Sequence, residues 1–194
     1  MHWVRVGSAL AMLLTLAASA RAQDAESRAI AKGRWSLAFS LPDGGGGQLG
    51  VWKMVSARSN LGVNLGVRHE FREYSAGPDS ARFKDGSTFW TFSIEPRWKR
   101  YLFIRERISP FFAAALQGSY GWDQEGSSRE ITRSARLTAG IGADWTPLHD
   151  ISIGASTGFA WTETMLSRND SFATKQKFSD FDTTTGALTL HLYF

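Results

Sequence analysis

The chain has 194 residues, enough for one domain, with 22 Lys+Arg against 18 Asp+Glu and a formal net charge of +4. It contains no Cys, which excludes disulfide scaffolds, cysteine-ligated zinc and thiol catalysis. Hydrophobic residues make up 43% of the chain, yet mean hydropathy is −0.22, a balance that fits short-range alternation better than long apolar blocks.

Residues 1–22 read as a signal peptide. Arg5 gives a basic start, and Ala9 to Ala18 (ALAMLLTLAA) forms an apolar core too short for a spanning helix. Ala20-Arg21-Ala22 is a small-x-small cleavage site, with Ala18-Ser19-Ala20 as its competitor; the cut is placed after Ala22. Removal takes away Arg5 and Arg21, which leaves 20 basic residues against 18 acidic ones, a net charge of +2. No basic stripe stands outside the strand pattern, and an exported chain does not normally meet nucleic acid, so no such partner is expected. Residues 23–33 are polar and small and read as a periplasmic lead-in.

From Arg34 onward the chain falls into alternating segments closed by turn residues, the pattern of antiparallel strands. Arg34–Leu41 puts Trp35, Leu37, Phe39 and Leu41 on one face. The four glycines of loop 42–47 precede neither a helix start nor Gly-Lys-Ser/Thr, so phosphate cradling is set aside. Gln48–Ser56 has apolar residues on both faces; Lys53 is assigned inward, which turns Trp52 outward. After turn 57–60, Leu61–Tyr74 alternates most clearly. Leu61, Val63, Leu65, Val67 and Phe71 share one face, and Gly62, Asn64, Gly66, Arg68, Glu70 and Arg72 the other. Glycines on the polar face point to a crowded interior. Beyond loop 75–87, Thr88–Phe103 carries Trp90, Phe92, Ile94, Pro96 and Trp98 on one side and Glu95, Arg97 and Lys99 on the other. Pro96 lacks a ladder donor, so a phase shift is expected after it, turning Tyr101 and Phe103 outward.

Turn 104–109 leads into Pro110–Trp122, and loop 123–129 into Glu130–Trp145. In the latter, Ile131, Ala135, Leu137, Ala139, Ile141, Ala143 and Trp145 face out, while Arg136, Gly140, Gly142 and Asp144 face in. Turn 146–150 precedes Ile151–Thr162, and loop 163–176 precedes Lys177–Phe194. That last segment ends in unbroken alternation, with Leu188, Leu190, Leu192 and Phe194 on one face and Thr189, His191 and Tyr193 on the other. An exposed edge strand ending on an aromatic is usually blunted in a soluble protein; a closed barrel removes the edge. Connections alternate between longer loops and short turns, as in outer-membrane barrels, whose long loops face outward.

This ending resembles the C-terminal strand of bacterial outer-membrane β-barrels, and residues 34–194 as a whole resemble the small barrels of the OmpA/OmpX type. The resemblance implies that Leu188, Leu190, Leu192 and Phe194 are read by the barrel-assembly machinery. The expected fold is all-β, an eight-stranded antiparallel up-and-down transmembrane β-barrel preceded by a cleavable signal peptide, located in the outer membrane among phospholipid and lipopolysaccharide.

Orientation follows from volume. An eight-stranded lumen has room only for packed side chains, and the Leu, Ile, Phe and Trp set would not fit inside it. The aromatics also gather at strand ends. Trp35, Trp98, Trp145 and Tyr193 lie near the short turns and Trp90, Trp122 and Trp161 near the long loops, as two girdles would require. A soluble lipocalin-like barrel, apolar inside, is the alternative.

The inward charges Lys53, Arg68, Glu70, Arg72, Glu95, Arg97, Lys99, Arg136 and Asp144 form one constellation. Enclosed charges must pair, so a salt-bridge network filling the lumen is expected; a narrow, anion-favouring gate is the sharper reading. His69, His149 and His191 are scattered without metal-ligand spacing, so neither metal nor cofactor is expected. Lipid A deacylases carry a motif resembling His-x-Ser; His69-Glu70-Phe71, His149-Asp150-Ile151 and His191-Leu192-Tyr193 lack the serine, and no enzyme is expected. By resemblance the role is structural or adhesive at the cell surface, with loops 75–87 and 163–176 as the places for a surface ligand; a narrow channel is the alternative, and a lipid-modifying enzyme a third.

Overall fold

A computed structural model describes residues 29–42, 46–76, 83–105, 107–125, 128–169 and 174–194, so the signal-peptide segment lies outside the described residues. Eight strands follow one another: β1 (Trp35–Pro42), β2 (Gln48–Met54), β3 (Ser59–Ala76), β4 (Phe83–Tyr101), β5 (Ile108–Glu125), β6 (Ser128–Leu148), β7 (Ile151–Asn169) and β8 (Thr174–Tyr193). Each pairs antiparallel with its sequence neighbours, and β1 pairs with β8, from Ser36↔Tyr193 to Pro42↔Ala187, so the sheet closes into an up-and-down barrel. Over the height that β1 and β2 span, closure pairs every strand on both sides, which lets strands cross a medium that offers no hydrogen bonds.

Alternation decides which way each side chain points. Leu61, Val63, Leu65 and Val67 of β3 are exposed on the outside, as are Leu137 and Ile141 of β6 and Leu188 of β8. The small and polar partners between them turn inward. The barrel thus places its bulky apolar side chains on the outer surface and its buried polar ones, such as Asn64, Glu95, Lys99, Asp144 and His191, inside.

Four expectations are corrected. First, β2 takes the opposite phase. Trp52 is fully buried at 0% exposure and Lys53 is exposed, because Trp52 fills the space over Gly62 while Lys53 lays its ammonium 4.7 Å from the Trp35 ring centroid outside. Second, Pro96 causes no phase shift. The β3–β4 register runs unbroken through Val63↔Pro96, and against β5 it resumes at Arg97↔Ala115 in step with Ile94↔Gly118. Pro96 loses a donor locally without changing the residue count, so Tyr101 stays inward at 1% exposure.

Third, Tyr193 does not belong to a girdle. It lies on the inward phase at 5% exposure, its hydroxyl 3.3 Å from Ser152 Oγ. Fourth, the stretches read as long loops are mostly strand. β3 and β4 pair up to Ala76↔Phe83, β5 and β6 to Glu125↔Ser128, and β7 and β8 to Arg168↔Thr174. Polar residues there lie above the apolar band, where water is tolerated on both faces; polarity alone does not mark a loop. Of loops 75–87 and 163–176, residues 77–82 and 170–173 lie outside the described residues.

Candidate functional site: a closed floor beneath a polar cup

The lumen has two levels. Toward the short turns, Trp52, Met54, Tyr101, Phe111 and Tyr193 project inward and are buried. Ala29 and Ile30 of the lead-in pack against Met54, Tyr101, Phe111 and Tyr193 and join this floor. The sequence shows why such bulk fits. A Cβ on Gly62 would stand 2.1 Å from Trp52 Cδ2, one on Gly142 2.6 Å from Phe111 Cζ, and one on Gly154 2.2 Å from Asp144 Oδ1. Each glycine is the space that a large side chain from a neighbouring strand occupies.

One buried polar chain threads the floor. Lys99 Nζ donates to Asp144 Oδ1 at 3.1 Å and to Oδ2 at 3.3 Å, and it lies 3.2 Å from His191 Nε2. Charged Lys99 has donors only, so His191 accepts at Nε2, carries its proton on Nδ1 and donates to Ser36 Oγ at 3.1 Å. Tyr101 donates to Asp144 Oδ2 at 2.6 Å. The Lys99 ammonium also sits 4.5 Å from the Phe111 ring centroid and 5.3 Å from that of Trp52. The enclosed ion pair is thereby satisfied, which offsets the desolvation that would otherwise expel it. Ser36 and His191 meet, but His191 donates to Ser36 instead of taking its proton, Ser36 is 1% exposed, and Lys99 stands between His191 and Asp144. In this arrangement no substrate reaches Ser36 Oγ.

Above the floor the lumen opens into a cup. Trp52 Nε1 donates to Asn64 Oδ1 at 2.9 Å, Asn64 Nδ2 to Glu95 Oε1 at 3.2 Å, and Arg97 Nε pairs with Glu95 at 3.0 Å. Over this layer lies a cavity of about 290 Å³ whose polar lining is Gln48, Arg68, Thr91, Ser93, Gln117, Ser119 and Arg136. Arg68 is ion-paired with Glu70, and Arg136 with Asp182 at 3.6 Å.

Of the nine lumen charges read from the sequence, Glu95, Arg97, Lys99 and Asp144 form the floor and middle layer, and Arg68, Glu70 and Arg136 the upper layer. Lys53 is outside the barrel, and the side chain of Arg72 lies outside the described residues. Sequence reasoning missed Asp182. Counting back from Leu188 by twos places it outward, but the β7–β8 register steps from Gly158↔Thr185 to Ala160↔Asp182, an extra residue in β8 that reverses the phase. Trp35, Trp98, Trp145 and Trp161 are exposed outside; Trp90, half-buried, lies against a tilted His69 ring with centroids 4.3 Å apart, and Trp122 stacks on Phe92 at 5.6 Å. Leu188 and Phe194 are exposed and Leu190 and Leu192 half-buried on the same outer face.

An exposed apolar surface of this extent, circling a closed barrel that keeps its buried polar side chains inside, defines the chain as a membrane-spanning β-barrel. No protein-family model matches the chain, and no curated protein matches it in sequence. Among solved structures it is similar to Escherichia coli outer membrane protein W (12% identity, TM-score 0.49, covering 84% of this chain and 98% of that one). It is also similar to neisserial surface protein A (10% identity, TM-score 0.46, 84% and 94% covered) and to the attachment invasion locus protein of Yersinia pestis (11% identity, TM-score 0.40, 84% and 99% covered). It is this chain's own apolar outer face that makes it a membrane barrel.

Proposed function

We propose that the chain is an integral outer-membrane barrel with a structural and surface-interaction role, and that it is not a conduit. The observation that supports this reading is the floor: Trp52, Lys99, Asp144, His191 and Tyr101 are all fully buried across the bore. An ion passing from mouth to mouth would have to break the Lys99–Asp144 pair and displace the Trp52 ring, and truncating one side of a buried pair costs about 3–5 kcal/mol. The signal-peptide pattern directs the chain outward, and the apolar face of β8 serves as its recognition surface for the barrel-assembly machinery. Partners are met by the stretches 75–87 and 163–176, as loops on rigid barrels commonly do.

Planar-bilayer recording of the refolded chain tests this reading. A silent barrel is expected; steady single-channel steps would instead establish the narrow-channel alternative. Replacing residues 170–173 by glycine and serine should reduce surface binding by cells that display the protein, and unchanged binding would remove that stretch from the account.

A further inference from the structure

The wall of the barrel is uneven. β1 and β2 have 8 and 7 residues, whereas β3 to β8 have 18 to 21. β1 accompanies β8 only as far as Pro42↔Ala187, and β2 accompanies β3 only as far as Gln48↔Gly66. Beyond those pairs β8 continues from Gly186 to Thr174 and β3 from Val67 to Ala76; among the described residues no strand lies between them.

The height of this notch follows from strand geometry. A strand tilted by about 45° climbs about 2.4 Å per residue, so β1 rises roughly 17 Å against an apolar band about 25 Å tall. The β1–β2 hairpin therefore ends inside the outer half of the membrane, below the level of Trp90, Trp122 and Trp161. The notch opens on the outer-leaflet side, where headgroups and water pair the bared edges of β3 and β8. Its flanks suit acyl chains: Val67 and Phe71 on β3 and Phe181 on β8 are exposed and apolar.

What lies behind the notch is the 290 Å³ cavity, walled on this side by Pro42, Gly46, Gly47 and Gln48. Among the described residues its lining includes two cations, Arg68 and Arg136, each ion-paired at its edge, with Glu70 and Asp182. The Arg136 pair with Asp182, at 3.6 Å, is longer than the 3.0 Å pair of Arg97 with Glu95, and Arg136 Nε is buried without a hydrogen-bond partner. A guanidinium has five donors, so Arg136 can keep Asp182 and still present its Nε–H to an anion, while Arg68, itself partnered, adds a second positive charge to the same lining.

We infer that the notch is a lateral portal through which the phosphate-bearing head of an outer-leaflet lipid enters the cavity, with Arg68 and Arg136 as its phosphate ligands. The acyl chains stay in the bilayer against Val67, Phe71 and Phe181, and Gln48, Gln117, Ser93 and Ser119 surround the head. The site depends on the barrel's orientation and not on any surface-binding role, so its failure would leave that role intact.

Native mass spectrometry of the refolded chain, released from nonionic detergent and titrated with dioleoyl phosphatidic acid, tests the site. Wild type should retain one lipid at saturation. Arg136→Gln and Arg68→Gln should each weaken retention at least about tenfold, the loss of a charge-assisted contact. Arg133→Gln, at an exposed outward position beside Tyr120, should retain the lipid as wild type does. Dioleoylglycerol, which lacks the phosphate, should not be retained. Heat-modifiable migration on gels confirms that each variant is folded; should the arginine variants fail it, Ser93→Leu fills the cavity from another strand and must give the same loss. Equal retention by the cavity variants and wild type, or equal loss in Arg133→Gln, would mean surface adsorption and overturn the proposal. Inorganic phosphate binding as tightly as the lipid would make this a free-anion site and overturn the lipid assignment.

Discussion

Gly62 and Trp52 show in one contact how the interior is specified. Trp52 reaches across from β2 and lies where the Gly62 side chain would be, with its indole N–H held by Asn64 at 2.9 Å. Gly62→Ala should therefore destabilise the barrel by about 1–3 kcal/mol, the usual cost of overpacking. In a Trp52→Ala background the same substitution should cost almost nothing. Urea titration of the four proteins closes the cycle; an equal cost in both backgrounds would remove the steric account. The Lys99–Asp144 pair makes a second residue-scale prediction. Lys99→Met alone leaves a buried carboxylate without its cation and should cost about 3–5 kcal/mol, while Lys99→Met with Asp144→Leu should recover most of that loss. A double variant as unstable as the single one would mean that the ion pair contributes net stability.

At the scale of the strand, legibility depended on length and on which medium each face meets. β3 was readable because lipid and a packed lumen impose opposite demands on Leu61, Val63, Leu65 and Val67 and on Gly62, Asn64 and Gly66. β2 has only 7 residues and apolar groups on both faces, so two phases were equally consistent and Lys53 was placed inside. In β8 the extra residue near Gly158↔Thr185 hid Asp182, since a bulge leaves no mark when Thr183, Thr184 and Thr185 stand in a row. Above the membrane the two faces meet the same solvent, alternation lapses, and strand reads as loop. The inward placement of Tyr101 and Tyr193 was missed for a related reason: an aromatic at a strand end suits a girdle or a floor equally well. The same demands yield a depth-dependent prediction. Ala139, exposed near the middle of β6, should tolerate Arg at a cost of about 2–4 kcal/mol, whereas the arginine already present at 133, nearer the upper girdle, should cost about 0–1 kcal/mol. Folding titrations in phospholipid vesicles would measure both, and equal costs at the two depths would argue against a bilayer around β6.

For the molecule as a whole, fold, floor and portal depend on a single arrangement: bulky apolar side chains outside, glycines, hydroxyls and ion pairs within. A barrel turned the other way would place Leu137 and Ile141 in a lumen too narrow for them and Lys99 and Asp144 in the bilayer. Because the chain has no Cys, any introduced one is the sole label site. Spin labels at each position from 136 to 144 in turn, with the protein reconstituted in bilayers, measure the arrangement directly through collision with oxygen, which dissolves in lipid. Positions 137, 139, 141 and 143 should be oxygen-accessible and positions 138, 140, 142 and 144 shielded. The opposite alternation, or none at all, would contradict it.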